Sequence, residues 1–122
     1  MFVDVHAHLD DEAFDDDREQ VIQRINEAGI IVVNGGSDMK SSRFSVELAQ
    51  KHDFIYACVG VHPHEAAKVN KGYIKELEDL AQNPKVIGIG EIGLDYYYDF
   101  SDRKIQQKVF LEQLELAKSL NM

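Results

Sequence analysis

The sequence predicts an α/β protein of four consecutive strand-helix units with a parallel sheet, and three observations lead there. Short apolar runs alternate with longer stretches in which apolar residues recur at the 3.6-residue period. The connections between them are short, with no linker or low-complexity segment. Every noteworthy polar residue falls where an apolar run ends, which in parallel α/β folds is where sites are built.

The first strand is Met1-Phe2-Val3-Asp4-Val5-His6-Ala7-His8-Leu9, whose alternation of apolar and polar residues fits a period of two. An Asp16-x-x-Glu19 pair resembles a capping box for a first helix, and Val21, Ile22, Ile25 and Ala28 form its apolar stripe as far as Gly29. Ile30-Ile31-Val32-Val33 is a β-branched run expected of a strand covered on both faces, ending in Asn34-Gly35-Gly36-Ser37. A weaker amphipathic helix runs from about Ser41 to His52, marked by Phe44, Leu48 and Ala49. Phe54 to Val59 reads as the third strand and ends at Gly60-Val61-His62-Pro63-His64. Asn70 is placed to cap a third helix with the stripe Ile74, Leu77, Leu80 and Ala81, closed by Asn83-Pro84. Val86-Ile87-Gly88-Ile89 is the fourth strand. Ser101 or Asp102 caps the last helix, whose stripe is Ile105, Val109, Phe110, Leu114, Ala117 and Leu120.

With 122 residues, 44% of them hydrophobic and 29% charged, the chain is long enough for one domain with one modest core, here residues 1-122. No stretch reaches membrane-spanning length and no secretory signal opens the chain, so the expected compartment is the cytoplasm, with no membrane partner. The single cysteine, Cys58, sits in an apolar run and reads as a small buried hydrophobe. A formal net charge of -9 argues against gripping nucleic acid with a broad basic surface. It leaves room for a metal-dependent phosphodiesterase, in which cations reverse the sign inside a small site. The acidic residues between Asp10 and Glu19 fit a solvated loop and a helix start, where negative charge suits the dipole.

Two stretches carry candidate chemistry. A period of two places His6 and His8 on one face, where two imidazoles offer metal-coordinating nitrogens on a rigid strand; the alternative is ordinary polar residues at a strand end. In Gly88-Ile89-Gly90-Glu91-Ile92-Gly93-Leu94-Asp95, alternate glycines leave one side of the strand bare and Glu91 projects where it ends. A carboxylate there can bridge two cations, or be a solvated side chain in a glycine-rich turn.

Four motifs together, Asp4-Val5-His6-Ala7-His8-Leu9, Gly60-Val61-His62-Pro63-His64, Gly90-Glu91-Ile92-Gly93-Leu94-Asp95-Tyr96 and Gln107-x-x-Phe110-x-x-Gln113-Leu114-x-Leu116-Ala117, resemble the TatD family of metal-dependent deoxyribonucleases along the whole chain. The resemblance implies a TIM-like (β/α) barrel of the metal-dependent hydrolase superfamily, two divalent metal ions (Mg, Mn or Zn) at its mouth, and DNA, single-stranded or at 3' ends, as substrate. By position, it implies His6 and His8 as ligands of one metal and Glu91 as a ligand or bridge of the pair. Two metals roughly 3.5 to 4 Å apart clamp a phosphate and stabilise the departing oxygen. Within that picture His62 is a candidate catalytic donor to a phosphate or leaving-group oxygen, or a structural histidine beside Pro63. Asp95 either orients a water or caps its turn. His64 is a candidate substrate contact, and Tyr96, with Tyr97 and Tyr98, either stacks on bases or covers outer loops.

Family members run to about twice this length, as an eight-stranded barrel requires. The resemblance therefore implies the N-terminal half of a barrel, a truncated enzyme whose remaining metal ligands, two histidines and an aspartate, lie beyond residue 122. Two other functions share the motifs: a small-molecule amidohydrolase-type enzyme, since the same ligands activate water for any electrophile, and a catalytically inactive half-barrel. Four strands alone leave two open edges and an exposed interior, so self-association is expected of the isolated half.

Overall fold

The computed structural model describes residues 1-122. Four parallel strands, β1 (Phe2–Ala7), β2 (Ile30–Gly35), β3 (Ile55–Val59) and β4 (Val86–Ile89), alternate with four helices. These are α1 (Arg18–Glu27), α2 (Met39–Lys51), α3 (Tyr73–Leu80) and α4 (Arg103–Ser119). Two 3-10 segments not expected from the sequence, Glu12–Phe14 and Pro63–Lys68, follow β1 and β3. The strands lie side by side in chain order, β1-β2-β3-β4, each paired in parallel with the next. A sheet that advances one strand per crossover without reversing keeps winding the same way, as a barrel does and a doubly wound sheet does not.

One core joins the sheet to the helices. Val32, Ile55, Ala57, Val59 and Val86 on the strands pack with Ile22, Val46, Leu48, Leu77, Val109 and Leu116 on the helices. The flanking strands behave differently. Phe2 and Val5 on β1 are 76% and 73% exposed and Ile87 on β4 is 50% exposed, because each of these strands pairs on one side only.

Several helix starts differ from the sequence reading. Helix α1 begins after Asp17, which makes no side-chain cap bond, so the expected Asp16-Glu19 box does not form. The start is held instead by Arg18, whose Nε donates to the Leu9 carbonyl at 2.6 Å and whose guanidinium pairs with Asp15 at 2.7 Å. Helix α2 begins earlier than expected, at Met39, with a capping box between Asp38 and Ser41. Asn70 lies two residues too early to cap α3: it accepts from Gly72 N–H at 2.9 Å, and Gly72 is the N-cap. Asp102 caps α4, accepting from Lys104 and Ile105 N–H. Gly29, at φ +69°, closes α1 in the left-handed conformation that glycine adopts without strain.

The buried face of α4 is the main correction. The expected stripe through Ile105 and Leu114 is partly solvated, at 40% and 42% exposure, whereas Gln106, Val109, Gln113 and Leu116 are buried. Two glutamines replace apolar residues because they face loop backbone that needs hydrogen-bond partners, not the aliphatic core. Similarly, α2 turns Ser42 and Ser45 inward, both at 0% exposure, which weakens its apolar signature.

Candidate metal centre

All the candidate chemistry lies at the ends of the strands. His6 is near the end of β1 and His8 follows it, after an irregularity in the pairing with β2 between Asp4 and Ala7. Glu91 follows β4, held by its own N–H donating to the Gly36 carbonyl at 2.7 Å. Strands β1 and β4 are the two outer strands of the sheet, so curvature, not sequence, brings their ends together. Glu91 Oε1 lies 3.1 Å from His6 Nε2 and 2.9 Å from His8 Nε2, and the two nitrogens are 3.1 Å apart. The three groups form a cluster of potential metal ligands whose donor atoms all fall within 4.8 Å of one another.

The donor set fits a cation. His8 Nδ1 lies 3.1 Å from the Gly35 carbonyl, which can only accept. A proton therefore sits on Nδ1, and in the neutral ring, the form that ligates a metal, Nε2 turns its lone pair toward the carboxylate. Lone pair facing carboxylate is repulsive unless a positive charge stands between them. Glu91 Oε1 is buried and receives no hydrogen bond, so it too lacks a positive partner. A divalent ion would satisfy all three atoms.

Beside this cluster stands a second pair. His62 Nδ1 accepts from His64 N–H at 3.1 Å, so His62 presents its Nε2–H, 4.0 Å from Glu91 Oε2. Burial, and the neighbouring His64, push the His62 imidazole below its usual range, against the pull of Glu91 and Asp95. His64 Nε2 pairs with Asp95 Oδ2 at 2.7 Å. Asp95 also accepts from Tyr97 and Tyr98 N–H through Oδ1, so it caps its turn and orients a histidine at once. Desolvation opposes ionisation of Asp95, but the Tyr98 N–H, the His64 ring and the Tyr97 N–H outweigh it and hold the carboxyl below the usual range. His62, His64 and Glu91 line two adjoining clefts, of about 300 and 620 Å³.

Tyr96 is not brought to this mouth. Its hydroxyl accepts from Gln107 Nε2 at 2.7 Å and its ring lies under Arg103, on the α4 side. Tyr98 and Phe100 occupy that place instead, stacked on each other at 5.3 Å and meeting the His64 ring edge-on at 5.6 and 4.9 Å. Phe100 carries no motif and was not legible as a site residue. His52, the remaining histidine, caps the C-terminus of α2 ahead of β3, whereas the site loops follow the strands. Cys58 is half-buried opposite Gly88, and burial raises its thiol above the usual range. A cleft of about 940 Å³ lies between α3 and α4 and contains none of the histidines.

The family model for TatD-related DNases matches residues 3–122. The chain belongs to the TatD-related DNase family. An uncharacterized metal-dependent hydrolase of Bacillus subtilis, YabD, is 38% identical across the whole chain, which spans 48% of YabD. A Shigella flexneri relative named as the 3'-5' ssDNA/RNA exonuclease TatD is 33% identical over 98% of the chain and 46% of its own length. Among solved structures, YJJV, a TatD homologue from Escherichia coli K12, superposes with a TM-score of 0.87 at 31% identity, over 99% of this chain and 48% of that one. The chain thus spans about half the length of the relatives it matches, and its four βα units correspond to about half of a TatD TIM barrel. No helix of it is long and apolar enough to cross a membrane.

Proposed function

We propose that this chain supplies the first half of the active site of a divalent-metal-dependent nuclease that hydrolyses phosphodiester bonds of single-stranded DNA, working inward from 3' ends in the cytoplasm. The observation that carries the reading is the convergence of His6, His8 and Glu91 on one point with an unpartnered carboxylate oxygen. Those three residues would hold the first of two metal ions, with Glu91 as a ligand or bridge of the pair. Bound divalent cations supply Lewis-acid stabilisation of a phosphate and lower the pKa of water toward neutrality.

The chain's own residues account for the rest. His62 offers an N–H into the cleft, suited to donating to a phosphate oxygen or to the departing oxygen. His64 is held by Asp95 beside it and closes the substrate side. Tyr98, 60% exposed, lines the cleft with Phe100 stacked behind it, and an aromatic ring there suits bases that stack without being read. Tyr96 steadies this rim through Gln107 and Arg103 without facing the cleft. Local cations, not a basic surface, would hold the phosphate, consistent with the net charge of -9.

The test is a chain carrying these four units followed by the remaining half of a barrel. With magnesium or manganese it is expected to release nucleotides from single-stranded DNA, and His6→Ala with His8→Ala is expected to abolish the release. Hydrolysis of amides with DNA left intact would replace the nuclease reading with that of an amidohydrolase.

The 122-residue chain by itself is expected to self-associate. Its outer strands leave backbone groups unpaired, and Phe2, Val5 and Ile87 are at least half exposed on them. Sedimentation velocity at several concentrations should show a species larger than 13.9 kDa. A compact monomer at every concentration would contradict this.

A further inference from the structure

Four fully buried polar side chains, Asn34, Ser42, Gln106 and Gln113, share one feature: they bond the backbone of the loops that follow the strands, whereas Ser45 bonds Asn34 and, within α2, the Ser41 carbonyl. Asn34 accepts from Leu9 N–H at 2.6 Å, just after His8. Ser42 Oγ meets both the N–H and the carbonyl of Gly60, at 3.0 and 3.1 Å. The pattern is sharpest on α4. Gln113 Oε1 accepts from Val61 N–H at 2.7 Å while its Nε2 donates to the Val61 carbonyl at 3.1 Å. Two turns earlier, Gln106 Oε1 accepts from Asp95 N–H at 2.8 Å while its Nε2 donates to the Asp95 carbonyl at 3.0 Å and to the Ser101 carbonyl at 2.8 Å. Each amide thus grips both backbone groups of a single loop residue, as a neighbouring strand would.

We propose that Gln106 and Gln113 are positioning residues, which make α4 a two-point template for the candidate site. Gln113 fixes the backbone immediately before His62. Gln106 fixes Asp95, and through the Asp95–His64 bond it fixes the His64 ring. Seven residues apart on one helix, the two amides hold a constant separation, so the loop after β3 and the loop after β4 are set against each other and not merely against the core. Ser101 Oγ, which accepts from Ala67 N–H and donates to the His64 carbonyl, ties the same two loops a third time. The exposure of Gln106 and Gln113 is 1% and 0%, so no water competes for these bonds. Methionine would fill the same volume and make none of them.

The geometric claim stands apart from the nuclease reading, and its consequence for chemistry rests on that reading. The test is native-state hydrogen exchange by NMR on Gln113→Met and Gln106→Met, with Mn2+ added afterwards as a relaxation probe. Gln113→Met is expected to speed exchange of the Val61 amide by at least about tenfold, as the loss of a buried hydrogen bond implies, and Gln106→Met to do the same at Asp95. Amides of Val33 and Ala57 in the sheet should keep their rates. In the same variants, Mn2+ should still broaden His6 and His8 but should broaden His62 (in Gln113→Met) or His64 (in Gln106→Met) differently from the unsubstituted protein. Uniform acceleration of all amides, with unchanged Mn2+ effects at His62 and His64, would overturn the proposal and leave the glutamines as ordinary core residues. Should Gln113→Met not fold, Gln113→Glu is read in its place: its carboxylate keeps an acceptor for the Val61 N–H but loses the donor to the Val61 carbonyl, so altered His62 broadening is expected, and unaltered broadening has the same force. If Mn2+ broadens no histidine, the metal reading fails, while the exchange rates still decide the template.

Discussion

Replacing Glu91 by alanine is expected to weaken divalent-metal binding by at least about a hundredfold, since even partners one shell removed from a metal typically account for 10–100-fold. The reason is charge. His6 and His8 are neutral donors, and Glu91 is the only carboxylate in their cluster. Without it the cation loses both an oxygen ligand and the negative charge that offsets its desolvation. The fold should be little affected, because Oε1 makes no hydrogen bond that the substitution would break. Isothermal titration with Mn2+ checks this, with Asp16→Ala as the control in the solvated acidic segment. Equal affinities of Glu91→Ala and the unsubstituted chain would remove Glu91 from the site.

The second large effect is expected at Gly60. A Cβ there would stand 2.8 Å from the Gly90 carbonyl carbon and 2.9 Å from its oxygen. Neither side can yield cheaply. Gly60 is held through both backbone groups by Ser42, and Gly90 N–H donates to the Val59 carbonyl at 3.0 Å. Gly60→Ala should therefore cost about 3 kcal/mol, the upper end of the usual range for overpacking, because backbone meets backbone. It should also weaken Mn2+ binding, since the displaced peptide is the one that carries Glu91. Urea unfolding reads the first effect as a lowered midpoint at unchanged slope. An unaltered midpoint together with unaltered affinity would mean that the strand ends do not pack as described.

The order of elements was legible because four β-branched or aromatic runs alternate with helical stripes, and that alternation survives in every strand and helix. The cluster of His6, His8 and Glu91 was half legible. A period of two places the histidines together, but nothing local says that the ends of β1 and β4, the outermost strands, meet; that depends on sheet curvature, and the family motifs supplied it. Helix α4 was misread on its buried face, because a glutamine that replaces a missing strand partner has the same composition as a solvated one. Gln107, the first position of the motif, pairs with Tyr96 at the surface, while its neighbour Gln106 is the buried one. Asp38 was missed as a cap since no glutamate follows it; Ser41 closes the box instead. Phe100 meets the His64 ring only because the turn after Asp95 folds back, a path set by Gln106 and Ser101 and invisible in spacing.

Anomalous diffraction from crystals grown with Mn2+ addresses the central claim most directly. A manganese peak is expected between His6 Nε2, His8 Nε2 and Glu91 Oε1, at coordination distance from all three. A peak confined to the Asp15–Asp17 segment, or a Glu91 side chain turned away from both imidazoles, would contradict it.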